Sequence, residues 1–512
     1  MFKIAVLADS HLPDQENTVK DEVFDWALDQ CRQLGVELIL AAGDMVSVGT
    51  IKAARRVRKK LDACNIPWLF SPGNAELRDQ RHRSAVLNEL STPSVFEHQD
   101  FIAMVLDNST GRISDCDMAM LEETIKNGCE NLMAAAHIPI DDMPEKQAEY
   151  LRELISQGRM KLFIAGHSHY DLVQNFKGGQ VHIIRGLDPD KAIGGPPAFV
   201  VYEFNEKNKH WSREDYAYES EWTKNDSLEF NDFLGISCMS DSIGGIKDAI
   251  EHGVKSLELR FGTTEKDIYP EVSHLIRSWR KAGGRNLSIH FPDIAWDEDL
   301  HKPSGGDDVL EACSLAIELE ADFITMHVPR CAVGRIESDS DVRARLLSEF
   351  ADKLQPALDA GIVVGIENLH MNPCENADRL RGYGYTPSEC REWIMALRSA
   401  SGCDNIGFHF DIGHARNNAP YSSLYNLSQW YAEMGDIITG YHLHQVEVDE
   451  NGQFLNHRTV KNIFGPLISF SSFFRAWKKN QIKHSPMYLE IRGGGGIESL
   501  QTFRKYLSEF EN

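Results

Sequence analysis

Short, fully apolar runs alternate with longer segments of helical spacing along most of the chain. Lys3–Ala8 reads as a buried strand, Val19–Leu34 has helical spacing, and Val36–Ala41 is a second buried strand. Ile51–Ala63 reads as a basic amphipathic helix and Trp68–Phe70 as the next strand. Phe101–Leu106, Leu132–Ala136, Leu162–Ala165, Val181–Arg185 and Ala198–Phe204 are further short strands. Between Asn205 and Asn231 polar, charged and aromatic residues mix without a period. This places one domain at 1–204, a linker at 205–231 and a second domain at 232–512.

From Phe233 the alternation becomes regular. The expected strands are Leu234–Cys238, Ser256–Arg260, Leu287–Phe291, Phe323–Val328, Val363–Asn368, Gly407–Asp411, Gly440–His444 and Met487–Ile491. Helical segments such as Ile246–His252, Val309–Glu320, Asp341–Ala360, Pro387–Ser399 and Phe473–Lys479 separate them. Eight β/α units in about 280 residues have the size and rhythm of a (β/α)8 barrel. The fold class is α/β, and 512 residues suit two or three domains.

Composition removes several classes. Hydrophobic residues at 42% and charged residues at 25% exclude wholesale disorder. No apolar run approaches a membrane span, and Met1–Ala8 is too short for a signal peptide, so the expected location is the cytoplasm. The formal charge of −24 opposes counterion displacement from nucleic acid, leaving a small molecule as the expected partner and a homo-oligomer open. The basic run Arg55–Lys60 is read as a solvated helix face. Ten scattered cysteines without a C-x-x-C pair read as reduced thiols.

The 20 histidines carry the chemistry. In the first domain Asp9 and His11 follow the first strand, Asp44 the second and Asn74 the third. His137 ends Leu132–Ala136, and His167 and His169 end Leu162–Ala165. Open α/β sheets place ligands just past the carboxyl ends of their strands, and flanking glycines let such side chains converge. The seven donors suffice for two divalent ions sharing a carboxylate. Their order resembles the calcineurin-like metallophosphoesterases over about residues 1–204, which implies an αββα sandwich. By position the resemblance gives Asp9, His11 and His169 to one ion, Asn74, His137 and His167 to the other, and Asp44 to both. Asp44 and His137 also enter the catalytic set, and the implied reaction is in-line attack on phosphorus. The family usually has a His after Gly-Asn; here Ala75 and Glu76 follow Asn74, removing the usual proton donor to the leaving group.

In the barrel half, Glu258, His290, His327, Glu367, Asp411, His414, His442, His444 and Glu490 lie at or just beyond strand ends, and His457 in a loop. Barrel active sites are built there. The pattern resembles the xylose-isomerase-like barrels, which include sugar isomerases, epimerases and AP endonucleases, over about Phe233–Asn512. Glu367, Asp411, His442 and Glu490 match the four-ligand metal site of the isomerases and epimerases, where the two glutamates move a proton beside a carbonyl. His290 and His327, with His414 and His457, match positions of the nuclease branch. Leu455 stands where that branch has an aspartate, which weakens a third ion and leaves one or two. His327 and His444 are either ligands or hydrogen-bonding residues. Glu258, His444, Arg416 and Arg492 are the expected substrate contacts, with surface salt bridging as the alternative for the arginines. Gly493–Gly496 reads either as a phosphate cradle or as a connector.

The expected function is therefore a bifunctional metal-dependent enzyme using Mn, Zn or Fe. It hydrolyses a phosphoester, a phosphodiester among them, in the first domain and isomerises, epimerises or hydrolyses a sugar-like metabolite in the barrel. Two alternatives stand beside it: a nucleic-acid processing nuclease, and a chain in which one domain is a non-catalytic binding module.

Overall fold

The computed structural model describes residues 1–219, 222–371 and 380–510. The chain forms two compact units, Met1–Ser220 with Ser469–Ser472, and Glu221–Ile468 with Phe473–Asn512. The final two residues of the expected barrel domain lie outside the described residues.

The first unit packs two sheets against each other. One has the order His210–Ala217, Ala198–Asn205, Phe2–Leu7, Leu38–Ala42, Trp68–Ser71. The other runs Val95–His98, Phe101–Leu106, Leu132–Ala136, Leu162–Ala165, Gln180–Ile183, Leu172–Asn175. Ile4, Val6, Leu38 and Leu40 from the first sheet form one core with Ala103, Val105, Met133 and Ile164 from the second. On the second sheet's outer face, Met104, Leu132, Ala134 and Phe163 pack against Leu121, Ile125, Leu151 and Ile155 of the helices Asp115–Lys126 and Glu145–Ser156. Helices thus pack on sheet on sheet, in line with the αββα sandwich expected from the sequence. The basic helix Ile51–Ala63 buries Ala53, Ala54, Val57 and Leu61, while Arg56 pairs with Asp21 and Lys60 with Asp25.

The segment read as a linker is largely regular structure. His210–Ala217 pairs antiparallel along the whole of Ala198–Asn205, and Lys224–Phe233 is a helix with a Thr223 capping box. Its charged residues hid the strand: as a sheet edge it buries only Trp211 and leaves most other positions to solvent.

In the second unit, Leu234–Cys238, Ser256–Arg260, Asn286–His290, Phe323–His327, Val363–Glu367, Ile406–Asp411, Ile438–Leu443 and Met487–Leu489 close a parallel barrel. Closure pairs Gly235 with Tyr488. The helices between the strands start on local signals, for example Thr386 capping Glu389 N with Pro387 in the first turn. His457 is not in a loop: it lies on Phe454–Arg458, which pairs with Gln445–Val448 above the barrel. Among the described residues no helix is long and apolar enough to cross a membrane.

Candidate metal centres

In the first unit, three strands of one sheet and two of the other end at the same edge and bring all seven predicted residues together. Five of them, Asp9, His11, Asp44, His167 and His169, have positive φ. That conformation costs a non-glycine residue about 1–2 kcal/mol and clusters at functional sites. Each of these residues turns sharply off its strand.

Asp44 is the hub: Oδ2 lies 3.4 Å from His11 Nε2, and Oδ1 lies 3.3 Å from His137 Nε2. Asp9 Oδ1 is 3.7 Å from His169 Nε2 and 3.9 Å from His11 Nε2. Asn74 Oδ1 and His167 Nδ1 each lie 3.1 Å from His137 Nε2. His137 Nδ1 donates to Ala42 O at 3.1 Å, which leaves Nε2 for the site. The donors fall into two groups that can each hold an ion: Asp9, His11 and His169, and Asp44, His137 and His167. Both ring nitrogens of His11 are buried without a hydrogen-bond partner. An imidazole left unpartnered among carboxylates fits a cation ligand.

The electrostatics carry the same stress. Burial, helped by the nearby Asp44 charge, pushes Asp9 up to about 8 against the pull of His137. Burial opposes charge on His137, yet Asp44, Asp9 and Glu76 together raise it to about 9. Asp44 is held below the usual carboxylate range because His137 outweighs burial. Burial lowers His11, His167 and His169, leaving them neutral as ligation requires.

Two supporting residues were not assigned from sequence. Glu76, fully buried, accepts from the backbone of Gly73 at 2.7 Å, Asp44 at 3.0 Å and Val46 at 3.1 Å, tying two ligand loops together. Asn108 Oδ1 accepts from His137 N and Ile138 N, both at 3.0 Å. Ala75 is fully buried and donates its N–H to Asp44 Oδ1 at 2.7 Å.

In the barrel the hub is Glu367. Its Oε2 lies 3.2 Å from His290 Nε2 and 3.4 Å from His327 Nε2, and its Oε1 lies 3.2 Å from His442 Nδ1 and 3.3 Å from His414 Nδ1. His442 Nδ1 also faces Glu490 Oε2 at 3.4 Å and Asp411 Oδ2 at 3.7 Å. His457 Nδ1 is 3.0 Å from Glu490 Oε2. Although close, His290 Nε2, Glu367 Oε2, His457 Nδ1 and Glu490 Oε2 lack hydrogen-bond geometry and are buried. This again fits cations as the missing partners. Glu367 and Glu490 stay well below the usual carboxylate range because the surrounding imidazoles outweigh burial. Burial opposes charge on His414, but Asp411 and Glu367 raise it to about 9.

Several expected contacts take other roles. Glu258 is fully buried beneath the site and bonded on both oxygens, so it offers nothing to a substrate. Its carboxylate is needed there because His442 sits above it. His444 Nε2 is 3.1 Å from Asp411 Oδ1, and its Nδ1 accepts from His457 N at 3.0 Å, a hydrogen-bonding arrangement that holds Asp411. The same ring also belongs to a possible donor group with His414 and His457. For His327, Nδ1 is bonded to Asp293 Oδ1 at 2.6 Å, leaving Nε2 for Glu367. Arg416 donates to Leu467 O at 2.8 Å, and Arg492 is exposed at the turn Arg492–Gly494. Sequence reasoning missed Asp293 and Arg260, the latter paired with Glu490. Both were visible as charged residues at or just past strand ends.

Two buried clusters of imidazoles and carboxylates, one on a sandwich edge and one at the mouth of a parallel barrel, each offer donor groups that could hold a metal ion. Residues 246–506, just over half the chain, match the xylose isomerase-like TIM barrel family, to which the chain belongs. Residues 2–171 match the calcineurin-like phosphoesterase family and form a domain of that kind. Among solved structures, the first unit is similar to a dimetal phosphatase from Danio rerio (17% identity, 42% of this chain and 96% of that one, TM-score 0.35). The barrel is similar to 3-keto-D-glucoside 4-epimerase from E. coli (15%, 54% and 99%, TM-score 0.38). It is also similar to D-allulose 3-epimerase from Methylomonas sp. in complex with D-allulose (13%, 54% and 96%, TM-score 0.39). No curated protein matches the chain.

Proposed function

We propose that the chain is a bifunctional metal-dependent enzyme. Its N-terminal domain hydrolyses a phosphoester, and its barrel acts on a small phosphorylated or sugar-like substrate. One observation carries this reading: each cluster is centred on a buried carboxylate, Asp44 or Glu367, whose two oxygens face different histidines. That arrangement suits ions held in pairs. Divalent Mn, Zn or Fe would supply Lewis acidity and an activated water there.

In the first domain, Asp9, His11 and His169 hold one position, Asn74, His137 and His167 the other, and Asp44 lies between them. Glu76 and Asn108 fix the loops, and Ala75 supplies no proton to a leaving group, so aryl esters are the expected substrates over alkyl ones. In the barrel, Glu367 faces four imidazoles, which leaves it poorly placed to take a proton from carbon and favours hydrolysis. A second reading, epimerisation, is favoured by the convergence of Glu367, Asp411 and Glu490 on His442 Nδ1. There Glu490, paired with Arg260 and His457, would move the proton. The acidic charge supports a small substrate over nucleic acid.

The test compares the parent with Asp44→Asn and Glu367→Gln in a metal-supplemented assay using a chromogenic bis-ester and ketose sugars. The reading expects Asp44→Asn to abolish the N-terminal share of ester cleavage and Glu367→Gln to abolish the barrel's share. Sugar epimerisation lost only in Glu367→Gln selects the second reading. Ester cleavage unaffected by either substitution contradicts the proposal.

A further inference from the structure

Beneath its histidines the barrel interior is polar, where such barrels are filled by bulky apolar side chains. Ser237, Glu258, Ser288 and Thr325 come from the first four strands, and all are buried. Glu258 Oε1 accepts from Ser237 Oγ at 2.8 Å and from His442 Nε2 at 2.8 Å. Its Oε2 accepts from Thr325 Oγ1 at 2.7 Å and Ser288 Oγ at 3.2 Å. A fully buried carboxylate is costly unless something nearby needs its charge.

That neighbour is His442. A carboxylate at Nε2 keeps the hydrogen on that nitrogen and leaves the lone pair on Nδ1. Nδ1 faces oxygens of Glu367, Glu490 and Asp411 at 3.2, 3.4 and 3.7 Å. One ring nitrogen and three carboxylate groups converging at these distances make a donor set that suits a divalent cation. His409, whose ring centroid is 4.2 Å from that of His442 in an edge-to-face contact, limits rotation of the ring.

We propose that Glu258 is a positioning residue of the barrel metal centre: by taking the Nε2 hydrogen of His442 it makes Nδ1 the ligand atom. This rests on the reading that the barrel binds metal. Glu258 acts through the imidazole and touches neither ion nor substrate. The three hydroxyls hold the carboxylate at the height of Nε2.

The test uses the full chain carrying Asp9→Asn, His11→Ala, Asp44→Asn and His137→Ala, which removes donors from both N-terminal groups, and titrates it with Co2+ while recording visible absorption. Glu258→Gln, His442→Ala and the double variant are compared with this background, with folding checked by cooperative unfolding in EDTA. Glu258→Gln should weaken Co2+ binding about 10–100-fold and shift the absorption band. On the His442→Ala background the same change should cost no more than about 3-fold, because its route is gone. Unchanged affinity in Glu258→Gln, or an equal loss in both backgrounds, overturns the positioning role while His442→Ala alone still reports a metal site. Unchanged affinity in His442→Ala overturns the metal reading and this proposal with it. Glu258→Asp, which keeps the charge but withdraws it by one methylene, decides the question if the amide variant fails to fold; it should also weaken binding, and parental affinity there counts against the role.

Discussion

Gly43, between the second strand and Asp44, is where backbone and ligand approach most closely around His137. Its φ is +85°, and a Cβ placed there would lie 2.6 Å from His137 Cβ and 2.7 Å from the ring. Gly43→Ala therefore incurs the left-handed backbone penalty of about 1–2 kcal/mol and an overlap of about 1–3 kcal/mol. Gly111 isolates the first part: its φ is +89°, but nothing lies within 4 Å of its would-be Cβ. Gly111→Ala should cost only about 1–2 kcal/mol, while Gly43→Ala should cost roughly 2–5 kcal/mol, or about 4–20 °C in the melting temperature of a unit of this size. The displaced imidazole should also weaken N-terminal metal binding in Gly43→Ala alone. Calorimetry in EDTA gives the stability difference, and elemental analysis after dialysis against Mn2+ gives the metal content. Equal destabilisation of the two variants, with equal metal content, would refute the close packing of Gly43 on His137.

Metal-free protein should lose stability as pH rises. Asp9 at about 8 and His137 at about 9 both lie above their ordinary values, so their contribution is complete below about pH 4 and pH 6.5 respectively and is gone above about pH 9. Melting curves in EDTA should therefore shift down between pH 6 and pH 9, and a rising melting temperature contradicts the assignment. Metal uptake must displace the His137 and His414 protons, so titration calorimetry at pH 7 in buffers of different ionisation enthalpy should show proton release; its absence would show those rings outside the centres. Leu455 stands two residues before His457 and is half-buried. Leu455→Asp should add about one metal equivalent per chain, measured by elemental analysis, and an unchanged count argues against that site.

Much of this architecture is legible from hydrophobic spacing. Leu234–Cys238 and Ser256–Arg260 agree residue for residue, because each is a short run with apolar residues at alternate positions, bounded by helical segments. His210–Ala217 escaped because this edge strand leaves most of its positions to solvent and carries charge there, and Gln445–Val448 and Phe454–Arg458 because they form a short ribbon outside the barrel. The histidines stood out because imidazoles at strand ends have few structural uses. Glu258 could not be placed the same way: one position along a strand separates an inward core site from the mouth, and only packing shows that Ser237, Ser288 and Thr325 already bind its oxygens. Glu76 was equally hidden, since accepting three backbone hydrogen bonds leaves no mark on residue spacing.

The central claim is that each unit folds a carboxylate hub and its histidines around divalent cations. Anomalous diffraction from crystals of the full chain soaked in Mn2+ tests it most directly. Peaks are expected on both sides of Asp44, within reach of His11 and His137, and at least one beside Glu367, within reach of His290 and His327. Maps without anomalous density at either hub, with the imidazoles hydrogen-bonded to one another instead, would contradict it.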